Sequence, residues 1–188
     1  MRKVSLDSLV SLDGYYTDAK SQIDWFEFDD ADMAWSHDAL SDVGTLVFGR
    51  KTYEEFSGIF PKMKDPAKLG WDPFIPETLN ALPKIVFSKG LKEGSWKPVS
   101  IVRTDPVKEI ARLKEGSGKE IQIVGSGSIV SAIVRAGLVD DFRLRVQPIL
   151  LGSGRSLFPD RAERQRLTLV SATPFKSGVL GLRYAPRK

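Results

Sequence analysis

The stretch that most constrains this chain lies between Ile121 and Gly137. A short apolar run, Ile121 to Val124, stops at Gly125-Ser126-Gly127-Ser128. Apolar residues then recur at helical spacing through Ile129, Val130, Ile133 and Val134 until Gly137. A buried strand that passes through a glycine turn straight into a helix belongs to a sheet covered by helices. The turn leaves the first N–H groups of the helix unpaired, beside the positive end of its dipole, with no bulky side chain in front of them. Two readings of it stand: a seat for a phosphate, or a tight connection with no ligand. Gly125-x-Gly127 lacks the third glycine of the dinucleotide fingerprint and no lysine follows it, so neither a standard Rossmann domain nor a P-loop is supported.

The alternation of strand and helix recurs upstream. Lys3 to Val10 reads as a first strand running into the turn Ser11-Leu12-Asp13-Gly14-Tyr15. Asp29, Asp30 and Asp32 suit the first turn of a helix that reaches about Asp42. Thr45 to Phe48 is a strand ending in Gly49-Arg50-Lys51-Thr52, where a short helix begins. Pro61 to Pro76, with four prolines and no period, reads as an irregular loop. Lys84 to Phe87 and Val99 to Val102 are further strands, and Pro106 to Lys114 has helical spacing. After Gly137 the period changes to two. Phe142, Leu144 and Val146 alternate with Arg143, Arg145 and Gln147, which implies one covered face and one polar or partner-facing face. Leu167 to Val170 and Val179 to Tyr184 complete the strands, with a turn at Ser177-Gly178. The expectation is a single α/β domain over residues 1–188, its central sheet mostly parallel with an antiparallel C-terminal end.

Several function classes drop out on composition. The sequence has no cysteine and one histidine, His37, so disulfide frameworks, thiolate metal sites and histidine clusters are excluded, and a Ser-His-Asp triad is disfavoured. No metal is expected. No apolar run approaches the roughly 20 residues of a membrane span and the N-terminus lacks a signal-peptide core, which points to a cytoplasmic protein without a membrane partner. The net charge of +4 is spread among acidic residues, and so modest a positive balance fits an anionic small ligand as well as it fits nucleic acid; no nucleic-acid partner is expected.

In an open parallel sheet, ligands bind beyond the carboxyl ends of the strands. Three such ends carry suitable groups: Gly49-Arg50-Lys51-Thr52, Ser88-Lys89 and Gly125-Ser126-Gly127-Ser128. Together they offer helix N-termini, hydroxyls and cations enough for a ligand with several phosphates.

Ser11-Leu12-Asp13-Gly14 followed by Trp25, the stretch FGRKTYEEF from Phe48 to Phe56, and the stretch from Val124 to Pro159 together resemble the dihydrofolate reductase-like superfamily. The matching branch contains the reductase domain of the riboflavin-biosynthesis deaminase-reductases and its stand-alone relatives. The resemblance covers nearly the whole chain. It implies a three-layer α/β/α fold and an NADPH-dependent reductase that transfers a hydride to a small heterocyclic or carbonyl substrate, pyrimidine- or pterin-like. Reduction of 5-amino-6-(5-phosphoribosylamino)uracil and reduction of dihydrofolate are the activities it suggests. It assigns Gly49, Arg50, Lys51 and Thr52 to the cofactor phosphates, Ser88 and Lys89 to the adenosine 2′-phosphate, and Gly125, Ser126, Gly127 and Ser128 to the pyrophosphate. It also implies a homodimer, with Asp141 to Gln147 the candidate for part of the contact. The competing class is a nucleotide-binding or sensor protein that keeps the fold without catalysis.

Two carboxylates are candidates for the catalytic acid. Ala31 to Trp35 resembles the segment bearing the active-site carboxylate of dihydrofolate reductases. On a helix Asp32 shares a face with Phe28, Trp35 and Ala39, neighbours that would raise its pKa toward that of a proton donor. It equally suits a helix first turn. Asp13 sits in a turn beside the expected nicotinamide site, and Asp-Gly turn chemistry is its competing reading.

Overall fold

The strands of this chain alternate between two faces that are covered by different chemistry. The computed structural model describes residues 1–125, 127–158 and 164–187; Ser126 of the glycine turn lies outside the described residues, as do 159–163. In chain order the elements are β1 (Val4–Ser11), β2 (Tyr15–Asp18), α1 (Asp30–Ser41), β3 (Val43–Gly49), α2 (Arg50–Ile59), α3 (Phe74–Ala81), β4 (Lys84–Phe87) and β5 (Val99–Val102). They continue with α4 (Pro106–Glu115), β6 (Glu120–Val124), α5 (Gly127–Arg135), β7 (Asp141–Gln147), β8 (Gly154–Ser156), β9 (Leu167–Pro174) and β10 (Leu180–Pro186).

Eight strands form one sheet in the order β5-β4-β3-β6-β1-β7-β10-β9, and β2 pairs with β8 in a separate ribbon. The six strands from β5 to β7 are parallel, and β10 and β9 continue the sheet antiparallel. From β1 the chain builds outward through β3, β4 and β5, then returns to insert β6 between β3 and β1. The six parallel strands therefore end along one edge, and the order reverses there, which is where such sheets open a crevice.

One face of the central strands is apolar. Leu6 of β1, Ile123 of β6 and Phe142 of β7 pack with Ile110 of α4 and with Val130 and Ile133 of α5. On the opposite face the same strands carry Ser5, Asp7, Glu120, Gln122, Arg143 and Arg145, and α1 covers them. Further along that face the lining turns apolar again, with Phe48 and Val86 against Leu40, Tyr53, Leu79 and Trp96. Asp29 is the N-cap of α1, accepting from the Asp32 N–H at 2.9 Å.

The period-two pattern of β7 is explained inside the chain, by the polar alternative of the two that its spacing allows. β7 lies between β1 and β10. Arg143 pairs with Glu120 at 2.9 Å and Asp141 at 3.1 Å, and Arg145 pairs with Asp7 and Asp32. Burial disfavours the charge on Asp141, yet Arg183, Lys3 and Arg143 around it hold its carboxyl below the usual range. The alternating arginines are thus neutralised by carboxylates of β1, β6, β7 itself and α1. The expected loop from Pro61 to Pro76 contains a 3-10 turn at Ala67–Leu69, and its last residues already belong to α3. Among the described residues no helix is long and apolar enough to cross a membrane.

Candidate functional site

A cleft of about 590 Å³ follows the ends of β3, β4 and β5 to the start of α5. Among the described residues five cations line it, Arg50, Lys51, Lys89, Arg103 and Arg155, against one acid, Glu55. Gly49 is the N-cap of α2 and makes no side-chain cap, so the first N–H groups of that helix face the cleft without competition from a side chain. Arg50 pairs with Glu54 at 2.9 Å, an exposed contact of the kind that contributes little and exchanges readily. After β4 the Ser88 Oγ accepts the Leu91 N–H at 2.9 Å, fixing the turn that carries Lys89, and Arg103 donates to the Leu91 carbonyl at 3.0 Å.

A second cavity, of about 280 Å³, lies between α1, α2 and the central strands. Its walls are mostly apolar and aromatic, with Phe26, Phe28, Phe56, Phe60 and Trp71 among them. Its buried polar floor comes from Asp7 of β1, Gln122 of β6 and Arg145 of β7, with Ser36 of α1 beside it. The Arg145 Nη2 donates to Asp7 Oδ1 at 2.9 Å, and its Nη1 reaches both oxygens of Asp32 at 3.3 Å and Ser36 Oγ at 2.6 Å. Gln122 donates to the other Asp7 oxygen at 3.4 Å. Burial works against charge on Arg145, but Asp7 and Asp32 together raise its pKa above the ordinary value. Burial pushes the Asp32 carboxyl up, and Arg145 beside it offsets only part of that.

The two cavities share a wall made of Tyr16, Thr17, Thr52 and Glu55. The glycine turn meets this wall. Gly125 adopts φ +62°, the left-handed region that favours glycine, and sits against Thr52. A Cβ on Gly127 would lie 3.1 Å from Tyr16 Cε1 and 3.2 Å from the Ser156 carbonyl. The backbone N–H of Gly127 donates to the Tyr16 hydroxyl at 3.2 Å. Burial raises the pKa of Glu55, with Arg155 and Lys51 pulling the other way.

The fold brings Gly49, Arg50, Lys51, Thr52, Ser88, Lys89, Gly127 and Ser128 to the lining of one cleft, while Gly125 lines the second cavity. Asp32 is fully buried behind Arg145 and lines neither cavity. Asp13 is also outside both. Its carboxylate accepts from Ser11 Oγ at 2.6 Å and from the Leu151 and Gly152 N–H groups at 3.2 and 2.8 Å, and these bonds hold its pKa down. These are contacts of the kind that the turn reading requires. Arg103, Arg155, Tyr16 and Glu55 were not singled out from the sequence. Arg155 had a readable signal, since it follows a second Gly-Ser-Gly at 152–154 in the family-like stretch.

A family model described as the RibD C-terminal domain matches residues 2–180. The uncharacterized protein YyaP of Bacillus subtilis (strain 168) is 32% identical over 185 residues, covering 97% of this chain and 94% of its own. The crystal structure of a putative riboflavin biosynthesis protein from Shewanella sp. PV-4 superposes with a TM-score of 0.74 at 20% identity, over 99% of both chains. That of a diaminohydroxyphosphoribosylaminopyrimidine deaminase/5-amino-6-(5-phosphoribosylamino)uracil reductase from Thermotoga maritima gives 0.69 at 16% identity, over 99% of this chain and 57% of that one. At these identities the two structures show a shared fold.

Proposed function

We propose, since the chain belongs to the RibD C-terminal domain family, that it is an NADPH-dependent reductase acting on a small heterocyclic or carbonyl substrate. The observation that carries this reading is the shared wall of Tyr16, Thr17, Thr52 and Glu55. It joins a cleft built for phosphates to a cavity built for a flat apolar body. The cationic lining and the uncapped N-terminus of α2 fit a ligand with a pyrophosphate and a further phosphate. Bound there, NADPH supplies a hydride.

The residues of the chain do the rest. Lys89 and Arg103 hold the outlying phosphate, while Gly49, Arg50, Lys51, Thr52, Gly127 and Ser128 hold the pyrophosphate. The aromatic walls orient the acceptor and exclude water. Glu55, at the junction and raised in pKa by burial, holds the proton that the reduced acceptor takes up. Asp32 acts through Arg145 as a positioning residue. The protein assembles as a homodimer through β9, whose Leu169 and Val170 are 52% and 55% exposed.

Titration with NADPH and NADH, followed by nicotinamide fluorescence and melting temperature, tests the reading. Tight binding that prefers NADPH and is lost in Arg50→Ala with Lys89→Ala supports it. Binding of neither cofactor removes it, and binding without turnover over a broad panel leaves a non-catalytic nucleotide-binding protein.

A further inference from the structure

We infer that the second cavity takes an uncharged or cationic planar ring that carries no phosphate, an inference that rests on the reductase reading of the two cavities. The argument is one of charge. Among the described residues Arg145 is the only Lys, Arg or His that lines this cavity, and it is already claimed by two carboxylates. Its side chain is 10% exposed, against 11% for Asp7 and none for Asp32. Two buried carboxylates around one guanidinium leave the floor with one net negative charge. Glu55, at the junction, adds no positive charge.

A phosphate dianion brought onto this floor faces like charge in a desolvated setting, the arrangement by which binding sites reject wrong partners. Of the Arg145 nitrogens only Nε, itself buried, has no hydrogen-bond partner, and turning either Nη toward a phosphate would leave Asp7 or Asp32 buried and unpaired. Lys51 and Arg155 line the neighbouring cleft and not this cavity. A phosphoribosyl chain of the kind named for the Thermotoga protein is therefore a poor match to this chain's own cavity.

What the cavity does offer suits a ring. Phe26, Phe28 and Trp71 form a run of aromatic faces with centroids 6.3 and 5.8 Å apart, able to stack on a flat ring and favourable toward a positive one. Gln122 lines the cavity, is 2% exposed, and leaves its Oε1 without a hydrogen-bond partner. An N–H donor on the ring would satisfy that oxygen. A volume near 280 Å³ is at the small end for ligand sites, enough for a compact ring system and little beyond it.

The test uses Trp71 as a reporter within the cavity, so it does not depend on turnover. Pairs of pyrimidine and pterin nucleosides with and without a 5′-phosphate are titrated into the full chain without cofactor, following tryptophan fluorescence, with Trp71→Phe as the control for the origin of the signal. The expected result is that at least one phosphate-free member binds and that its phosphorylated partner binds at least tenfold more weakly. Asp7→Asn, which removes one floor carboxylate, should narrow that ratio. Equal or tighter binding of the phosphorylated members overturns the inference, as does failure of every ring to bind. If rings bind in this order while NADPH does not bind, the reductase reading falls and the charge selectivity stands. If NADPH binds and phosphorylated rings are preferred, the reverse holds.

Discussion

The hydroxyl of Tyr16 accepts the backbone N–H of Gly127 at 3.2 Å, so a side chain from β2 caps the start of α5 where the glycine turn meets the cleft. If a pyrophosphate takes that N–H, the hydroxyl must release it. Tyr16→Phe removes the competitor and is expected to bind NADPH equally well or up to about tenfold more tightly, the worth of one exchanged hydrogen bond. Gly127→Ala should do the opposite, because its methyl group would press on the Tyr16 ring and the Ser156 carbonyl. Fluorescence titration measures both. A tenfold loss in Tyr16→Phe would mean that the hydroxyl holds the cofactor itself.

Arg145 carries the electrostatic balance beneath the second cavity. Arg145→Met strands Asp7 and Asp32 as buried carboxylates, and breaking a buried pair in this way costs roughly 3–5 kcal/mol. Asp32→Asn should cost less, because burial already disfavours the charge on Asp32 and the amide oxygen can still accept from Arg145. Urea denaturation orders the two variants. If Arg145→Met were the milder change, the charge cluster would not be what holds α1 to the sheet.

Lines of local chemistry were legible in the sequence and long-range pairing was not. Lys84 to Phe87 and Val99 to Val102 are strands at the residues their apolar runs mark, and the last two expected strands form the antiparallel end as β9 and β10, while β7, where the period of two begins, is still parallel. Gly49 to Thr52, Ser88 and Lys89 meet because parallel strands place their C-terminal ends together, which follows from topology alone. The partners of Arg145 could not be read, since Asp7 is 138 residues away and only the pairing of β1 with β7 brings them side by side. β8 escaped notice because three residues, Gly-Arg-Ser, show no period, and Arg155 escaped with it. Aromatic residues such as Trp25, Phe26 and Trp71 suit either a wall for a planar ring or core packing, and spacing does not tell the two apart; Phe26 and Trp71 line the second cavity and Trp25 does not.

Lys84 gives the stability a pH dependence away from the site. It is 1% exposed, donates to the Asn80 and Leu82 carbonyls at 3.0 and 2.7 Å, and lies 4.3 Å from the Trp96 ring centre. Burial lowers its pKa from 10.5 to about 8. A lowered lysine pKa means that the unfolded chain binds the proton more tightly between those two values, so folding becomes more favourable as pH rises from about 8 toward 10.5. Below pH 8 the cost of the buried charge is present in full. Lys84→Met should remove this slope while leaving the loss of two carbonyl contacts as a constant offset. Denaturant midpoints at pH 7.5, 9 and 10, read as native minus variant, should increase with pH; a flat difference would show Lys84 to titrate normally.

β9 is the terminal strand of the sheet, and Leu167, Leu169 and Val170 along it are 37%, 52% and 55% exposed. An apolar edge strand left open invites pairing with another chain. In the proposed homodimer Val170→Lys should shift the sedimenting species from two chains to one without lowering the stability of the monomer by more than about 0.5 kcal/mol, the usual bound for surface changes. A native protein that sediments as a single chain at micromolar concentration would remove the dimer.

Glu55 is the remaining titratable group on the wall between the two cavities, apart from the phenol of Tyr16. A carboxyl whose pKa is raised by burial retains its proton closer to neutral pH, which is what a donor to a newly reduced ring or carbonyl requires. Lys51 and Arg155 oppose the shift, and phosphates bound in the cleft would neutralise both, raising the Glu55 pKa further once cofactor is in place. Turnover should therefore fall as pH rises through that value, because the protonated form is the active one. Glu55→Gln should lower kcat by a factor on the order of 10²–10⁴, the usual contribution of a positioned acid, and abolish the falling limb. Its NADPH affinity should hold or improve, since the one acid in a cationic cleft is gone. A variant with full kcat and an unchanged pH profile would assign the proton to another group, and Tyr16, whose hydroxyl is on the same wall, would be next.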